Sequence, residues 1–479
     1  MSIGTETQAD AEAQEGVETG TELRVKDLFK RAATDRQQRK EQLGKLVSYQ
    51  SLAFPSNDPK QSEECAQAVA VMLQELGFSD TEMLDVGGQN PTVWAETRVN
   101  ESAPTVLLYA HYDVQPAPLE QGWDSDPWTM VERAGRLFGR GTADDKAGIV
   151  QHLSALRVVC AHYGLDGVDQ LPFNLKVCFE GEEEYGDSLP TYIPTDAKRF
   201  AADIFLVCDG GNLEVGKPLL QTTLRGVAEL TFSLRTLPNA QHSGAFGGPA
   251  PDAFLALTRL VQSMYDVAGN TVIDGVESTD YSGGIDYSEE LFRRQIELSS
   301  DGELVGTGNI ASRLWTRPAA TVVGVDMPSV KASSNIVIPE VSAKISLRFP
   351  PGQSGAEVLD ALKKHLQAQV SWGAELTFTD ENVMNAFAAG SLDGPYTKLM
   401  QECLTAAFEV PCVEGGSGGS IPLLEVLQKV SPEAEFLLFG PIDNEHANIH
   451  GANESVCETE LENCTKAESL FMSRLVRQA

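Results

Sequence analysis

The stretch TVLLYAHYD, residues 105–113, is the first indication of how much of the chain folds. Its first six residues form a continuous apolar run, which is typical of a β-strand covered on both faces in a parallel sheet. The run IFLVC at 204–208 has the same character, and NLKVCFE at 174–180 fits the same sheet although it alternates more. Residues 146–159, between these runs, have a helical pattern. The sequence therefore predicts an α/β domain with a mixed, mainly parallel sheet.

The pattern of the chain changes near Gly226. Residues 230–235 and 341–349 alternate apolar with polar side chains, as antiparallel strands with one exposed face do. Two helical stretches accompany them, at 254–264 and 359–366, with apolar residues on one side of each. Strands and helices of this kind predict a separate α+β domain.

These patterns divide the chain into three parts. We expect an α/β domain of residues 23–221 and 386–479, because buried strands of the parallel type return after about residue 390. An α+β domain of residues 222–385 interrupts it. Residues 1–22 carry six acidic residues and no basic one, a composition that predicts a solvated, disordered tail.

The charge balance of the 479 residues excludes some partners. Lys and Arg total 36 against 69 Asp and Glu, a net charge of −33, which argues against nucleic-acid and membrane-surface partners. No apolar run approaches the ~20 residues that span a bilayer, and no secretory signal is visible. Eight cysteines without a CxxC pair are too few for a disulfide scaffold, so we expect a cytoplasmic protein with reduced thiols.

A histidine and an aspartate directly follow the first predicted strand. His111 can face a ligand while Asp113 holds its second ring nitrogen, an arrangement common to metal-binding histidines. The glycine-rich turn GRGTADDKAG, residues 139–148, adds Asp144 and Asp145 at the start of a helix. An ordinary charged helix N-terminus would explain one of these two acids. It does not explain the pair with its glycines and arginine.

Other predicted strands also end in acidic or histidine residues. EGEEE at 180–184 and Asp209 follow two strands, and the loop after a further strand carries His446 and His450, either of which could be a ligand. The EGEEE segment alone could be a solvated loop, or it could supply one metal ligand beside one general base. Four strand ends thus supply two histidines, a Glu and an Asp, and a helix start adds Asp144. Three carboxylates and two imidazoles suit Zn²⁺ or Mn²⁺. Five ligands exceed one tetrahedral site, so a bridging carboxylate and two ions ~3.5–4 Å apart are predicted.

Seven motifs occur in the order and spacing of one known family: HYD (111–113), GRGTADDKAG (139–148), EGEEE (180–184), CDGG (208–211), AQHSGAFGG (240–248), GGSIP (418–422) and HGANE (450–454). From about residue 40 to the C-terminus the chain resembles the M20 metallopeptidase family. Within that family it is most similar to the carnosinase-like dipeptidases of the cytosolic, non-specific type. The resemblance implies a di-metal catalytic domain, with the inserted domain acting as a lid through which two subunits form a homodimer.

The resemblance also assigns metal ligands, position by position. Five residues would hold two divalent ions per subunit, Zn²⁺ or Mn²⁺: His111, Asp144 and Asp209 the first, and Asp144, Glu184 and His450 the second. Glu183 would be the general base, and Asp113 would orient His111. His450 matches the family motif better than His446 does.

Four further residues would contact the substrate by the same resemblance: His242, Arg348, Ser420 and Asn335. His242 would act at the active site of the partner subunit. Arg348 has a planar fork suited to a bidentate grip on a terminal carboxylate. Ser417 is an alternative to Ser420, because the glycine-rich element of this chain is extended over residues 415–420.

The predicted activity is hydrolysis of the peptide bond in dipeptides or very short peptides. A metal-bridging water would give its proton to Glu183 and attack the scissile carbonyl. An N-acyl amino acid deacylase could use the same site, and the sequence separates the two activities poorly. A non-catalytic binding protein of the same fold would be expected to have lost part of the ligand set or the base. This chain retains all seven core positions, which are the five ligands, Glu183 and Asp113.

Overall fold

The computed structural model describes residues 22–54, 58–390 and 392–478. The chain divides into two compact units. The described parts of Met1–Leu220, Gly390–Val413 and Val426–Ala479 form the first unit, and Gln221–Ala389 with Glu414–Glu425 form the second. Residues 1–21 of the predicted acidic tail lie outside the described residues, and residue 22 begins the first helix.

The elements before residue 219 belong to the first unit. Its helices here are α1 (residues 22–34), α2 (Arg36–Val47), α3 (Lys60–Glu75), α4 (Lys146–Tyr163), α5 (Ser188–Tyr192) and α6 (Ala197–Phe200). Its strands here are β1 (Thr81–Leu84), β2 (Thr92–Thr97), β3 (Thr105–His111), β4 (Val131–Arg133), β5 (Arg136–Phe138), β6 (Asn174–Glu180), β7 (Ile204–Val207) and β8 (Gly211–Asn212).

The remaining elements continue to the C-terminus. The next strands are β9 (Leu219–Leu224), β10 (Gly226–Arg235), β11 (Gln241–His242), β12 (Ala319–Asp326), β13 (Ile336–Val337), β14 (Glu340–Phe349), β15 (Glu375–Met384) and β16 (Phe387–Ala388). The helices among them are α7 (Ser243–Phe246), α8 (Ala253–Gln262), α9 (Glu289–Gln295) and α10 (Gly355–Gln369). The last elements are α11 (Pro395–Phe408), β17 (Val413–Ser417), α12 (Pro422–Val430), β18 (Glu435–Leu438), β19 (Ile442–Asp443), β20 (Ser455–Cys457) and α13 (Glu458–Gln478).

The central sheet of the first unit has strands in the order β1-β2-β6-β3-β7-β18. The last four are mutually parallel, whereas β1 and β2 are antiparallel to their neighbours. All seven residues of β6 are buried, as expected of a strand covered on both faces. The predicted mixed, mainly parallel sheet is therefore confirmed. The carboxyl ends of β6, β3, β7 and β18 lie along one edge.

Helix α4 connects this edge to the interior of the first unit. It begins at its N-cap Asp145, whose side chain accepts a hydrogen bond from Gly148, and it ends at Gly164, which has a φ of +68° that glycine adopts without strain. The helix is buried along most of its length and packs on α2, α13 and β3. Among the described helices, none is both long and apolar enough to cross a membrane.

The second unit contains a four-stranded antiparallel sheet, in the order β12-β14-β10-β15. Along β10 and β14 the apolar side chains alternate with polar ones, and the apolar face packs on α8 and α10. Leu230, Phe232, Ile345 and Leu347 are completely buried there. This period-2 pattern is the one from which an α+β domain is predicted.

Candidate functional site

The predicted metal ligands meet at the carboxyl edge of the parallel strands in the first unit. Two groups of side chains bring their ligand atoms within 4.8 Å of one another: His111, Asp145 and Asp209 in one, and Asp144, Glu184 and His450 in the other. They converge because β3, β6 and β7 are parallel, so that the loops after them start side by side. The structure thus brings together all five predicted ligands, and it adds Asp145.

Asp144 lies between two histidines. Its Oδ1 is 2.9 Å from Nε2 of His111, and its Oδ2 is 3.2 Å from Nε2 of His450. Each oxygen of this buried carboxylate therefore faces a different imidazole, which is the arrangement that a carboxylate shared by two ions requires. Asp145 also caps the N-terminus of α4, since its Oδ1 accepts a hydrogen bond of 3.1 Å from the Gly148 amide.

Asp113 contacts both His111 and the acidic loop. Nδ1 of His111 is 3.0 Å from the main-chain oxygen of Asp113 and 3.4 Å from its carboxylate. That carboxylate accepts hydrogen bonds from the amides of Glu183, at 3.1 Å, and Glu184, at 3.0 Å. Burial disfavours the charged ring of His111, but hydrogen bonds to Asp113 and Asp144 raise its pKa well above the ordinary value. Asp113 is thus placed to set the position of a histidine and of two acids at once.

Glu183 differs from its neighbours because no described residue donates a hydrogen bond to its carboxylate. Burial raises the pKa of Glu183 well above its usual value; His111 opposes this, while Asp209, Glu184 and Asp144 reinforce it. An unpaired carboxyl group with a raised pKa, next to a ligand cluster, is the kind of group that can take part in proton transfer.

Of the two histidines in the last loop, His450 joins the cluster and His446 does not. Nε2 of His450 is 3.1 Å from Oε2 of Glu184, whereas His446 belongs to neither group of ligand atoms. Hydrogen bonds to Asp144 and Glu184 raise the pKa of His450 to about 10, and burial raises the pKa of Asp209 to about 7. The cluster therefore holds protons that a divalent cation would replace, and its oxygen and nitrogen donors fit such an ion.

Glu454 lies within the HGANE motif, but its sequence context predicts no role for it. Its buried carboxylate accepts hydrogen bonds from the amides of Gly141 (3.0 Å), Ala143 (2.9 Å) and Asp144 (3.1 Å), and from Nη1 of Arg140 (2.5 Å). Glu454 thus connects the loop of His450 to the turn that presents Asp144. An acid four residues after a candidate ligand histidine was the available signal in the sequence.

A third group of possible ligands lies behind the edge, formed by His152, Cys208 and Glu468. Both ring nitrogens of His152 already have protein partners, Oε1 of Glu468 at 2.6 Å and the main-chain oxygen of Tyr109 at 3.1 Å. All three side chains are completely buried. This group is therefore a hydrogen-bond network that supports the end of β7.

The four predicted substrate-binding residues lie in the second unit, in two pairs. Nη1 of Arg348 donates to Oγ of Ser420 at 2.9 Å, whereas Oγ of Ser417 accepts from the Gly419 amide at 3.2 Å. The exposed His242 and Asn335 come together through the pairing of β11 with β13. Of the two candidate serines, Ser420 is the one in contact with Arg348.

The fold and the site define a class of protein, an α/β enzyme with a metal-binding cluster at the carboxyl edge of its sheet. The sequence model of peptidase family M20/M25/M40 matches residues 107–474. The chain therefore belongs to this family and is an M20 metallopeptidase, as its motifs predicted.

Individual relatives and one solved structure agree with this assignment. The chain is 39% identical over 437 residues to a cysteinylglycine-S-conjugate dipeptidase of Corynebacterium striatum, covering 90% of this chain and 94% of the relative. It is 26% identical over 442 residues to a β-Ala-His dipeptidase of Mus musculus, covering 85% and 86%. The structure of the dipeptidase Dug1p from Saccharomyces cerevisiae matches with a TM-score of 0.80 at 22% identity, over 95% of this chain and 98% of that one. This structural likeness shows the fold.

Proposed function

We propose that this metallopeptidase is a dinuclear enzyme that hydrolyses the peptide bond of dipeptides or very short peptides. The observation that carries the proposal is Asp144, whose two oxygens face two different imidazoles beside the unpaired carboxyl group of Glu183. The relatives whose names include dipeptidase activity support the substrate class.

Five side chains would hold the two ions: His111, Asp144 and Asp209 the first, and Asp144, Glu184 and His450 the second. Zn²⁺ and Mn²⁺ both suit these carboxylate and imidazole donors. When bound, the ions would polarise the scissile carbonyl and lower the pKa of a water molecule.

Glu183 carries the proton transfer. Its carboxylate takes the proton of the attacking water and returns it to the leaving amine, a contribution of about 10²–10⁴-fold to the rate. Asp113 keeps this base in place, because its carboxylate accepts hydrogen bonds from the amides of Glu183 and Glu184. The same residue contacts the second ring nitrogen of His111.

The second unit binds the substrate. Arg348, with Ser420 on its Nη1, binds the terminal carboxylate. His242, which is exposed, acts at the active site of the partner subunit in a homodimer formed through residues 222–385. The exposed Asn335 also contacts the substrate. The enzyme works in the cytoplasm, where its eight cysteines, which form no disulfide in the described structure, stay reduced.

The proposal is tested by reloading metal-free protein with Zn²⁺ or Mn²⁺ and assaying Cys-Gly, β-Ala-His and N-acetyl amino acids. We expect hydrolysis of the dipeptides that a chelator abolishes. Glu183→Gln should lower the rate by about 10²–10⁴-fold while both ions stay bound. Asp187→Asn, which changes an exposed carboxylate of the same loop, is the control. Hydrolysis of N-acetyl amino acids alone would contradict the dipeptidase assignment.

A further inference from the structure

Gln115 lies in the loop that follows β3, at the carboxyl edge of the sheet. Its Nε2 donates a hydrogen bond of 2.8 Å to Oε2 of Glu184, which lies 69 residues further along the chain. The side-chain amide must have this orientation, because an ionised carboxylate only accepts hydrogen bonds. Gln115 therefore presents an N–H group, which binds no cation, to a proposed ligand of the second ion.

The oxygen that Gln115 contacts is also the one that faces the other ligand of that ion. Oε2 of Glu184 is 3.1 Å from Nε2 of His450. A carboxylate oxygen has more than one lone pair, so Oε2 can bind an ion on the side of His450 and still accept the hydrogen bond from Gln115. The contact with Gln115 is therefore compatible with metal binding.

Few other groups hold the carboxylate of Glu184. Among the described residues, Gln115 and His450 are the two whose side chains form a hydrogen bond or an ion pair with it. An ion bound between Glu184 and His450 would replace the second of these contacts. Asp113 accepts a hydrogen bond from the main-chain amide of Glu184, but a glutamate side chain still has three rotatable bonds beyond that point. The hydrogen bond from Gln115 is thus the contact that can orient the carboxylate.

The main chain on both sides of Gln115 is anchored. The amide of Val114 donates to the main-chain oxygen of Ser51 at 2.9 Å, and the main-chain oxygen of Pro116 accepts from Nη2 of Arg140 at 3.4 Å. A residue before proline favours an extended conformation, and Gln115 is itself half-buried. Its amide group therefore starts from a fixed position.

We infer that Gln115 is a positioning residue of the metal site, which holds Oε2 of Glu184 toward His450 and so raises the affinity for the second ion. The inference rests on the proposed function in one respect, that Glu184 and His450 hold an ion. Hydrogen-bond partners of metal ligands typically contribute about tenfold to a hundredfold to metal affinity. The first ion has neither Glu184 nor His450 among its proposed ligands, so its affinity should not depend on Gln115.

Calorimetric titration of metal-free protein with Zn²⁺ or Mn²⁺ tests the affinity for each ion. Gln115→Met keeps the length of the side chain without the N–H donor. We expect it to bind the second ion about tenfold to a hundredfold more weakly and the first ion unchanged. Gln115→Asn keeps the amide on a shorter side chain that falls short of Glu184, so it should weaken the same ion, and it carries the test if the methionine variant does not fold. Gln121→Met, at an exposed glutamine of the same loop, should bind both ions as wild type does.

A double-mutant cycle shows whether Gln115 acts through Glu184. In Glu184→Ala the carboxylate is gone, so adding Gln115→Met should weaken metal binding no further. The same additional loss in both backgrounds would overturn the inference, and so would a loss shared equally by the two ions. Unchanged binding of both ions by Gln115→Met would also overturn it.

Dipeptide hydrolysis by the same proteins separates this inference from the proposed function. Gln115→Met should need about tenfold to a hundredfold more metal for its half-maximal rate. If wild type hydrolyses no dipeptide but binding of the second ion still depends on Gln115, the proposed function fails and the positioning role stands. If wild type hydrolyses dipeptides but Gln115→Met binds both ions normally, the proposed function stands and the positioning role is refuted.

Discussion

Replacing Glu454 should reveal how much of the metal site depends on a residue that binds no metal. Its carboxylate is completely buried and accepts four hydrogen bonds, from three amides of the turn and from Arg140. Glu454→Ala leaves Arg140 buried and unpaired, a loss of about 3–5 kcal/mol in the free energy of unfolding. Glu454→Gln keeps one acceptor oxygen and loses the charge, so a loss of about 1.5–3 kcal/mol is expected.

The affinity for metal should fall together with stability. Because Glu454 binds the amide of Asp144 at 3.1 Å, its loss frees the main chain that places the proposed shared carboxylate. Urea unfolding of the metal-free variants measures the loss of stability, and calorimetric titration with Zn²⁺ or Mn²⁺ measures the loss of metal affinity. Glu433→Gln, at an exposed position of the same unit, is the matched control.

A double-mutant cycle with Arg140→Met identifies the interaction. The two residues are in contact, so their coupling energy should be about 0.5–3 kcal/mol. If Glu454→Gln matched wild type in both stability and metal affinity, the reasoning from these hydrogen bonds would be refuted.

Three further predictions concern the metal cluster, a buried acid and the subunit contact. Asp144→Ala should weaken binding of both ions while Glu184→Ala weakens mainly one, and elemental analysis of the purified variants decides this; two tightly held ions in the Asp144 variant would rule out a shared ligand. Burial raises the pKa of Glu180 to about 8, so its stabilising contribution is complete below the unfolded value of 4.5 and is lost as the pH rises through 8. Across that pH window, the free energy of unfolding of the metal-free protein should decline less in Glu180→Gln than in wild type. An equal decline in the two proteins would contradict the raised pKa of Glu180. Mixing His242→Ala with Glu183→Gln subunits should restore on the order of one quarter of the activity if His242 acts across a two-fold dimer. No recovery after confirmed subunit exchange would place His242 in its own subunit's site.

Several features of the protein can be predicted from short stretches of sequence. The apolar runs at 105–110 and 204–208 predict buried parallel strands, and β3 and β7 begin at the same residues. The acids and histidines that follow such strands predict a cluster at one edge of the sheet, because parallel strands end at the same edge. These inferences succeed because strand periodicity, and the place where a strand ends, are local properties of the chain.

The partners of individual buried groups depend on tertiary structure instead. Glu454 meets Asp144 across 310 residues of sequence, and Arg348 meets Ser420 across 72. No local pattern encodes such pairs, because a buried donor or acceptor is satisfied by whichever group packing brings within about 3 Å. The sequence alone therefore determined the family, the sheet and the set of candidate ligands, and only the tertiary structure decided which groups hold that set in place.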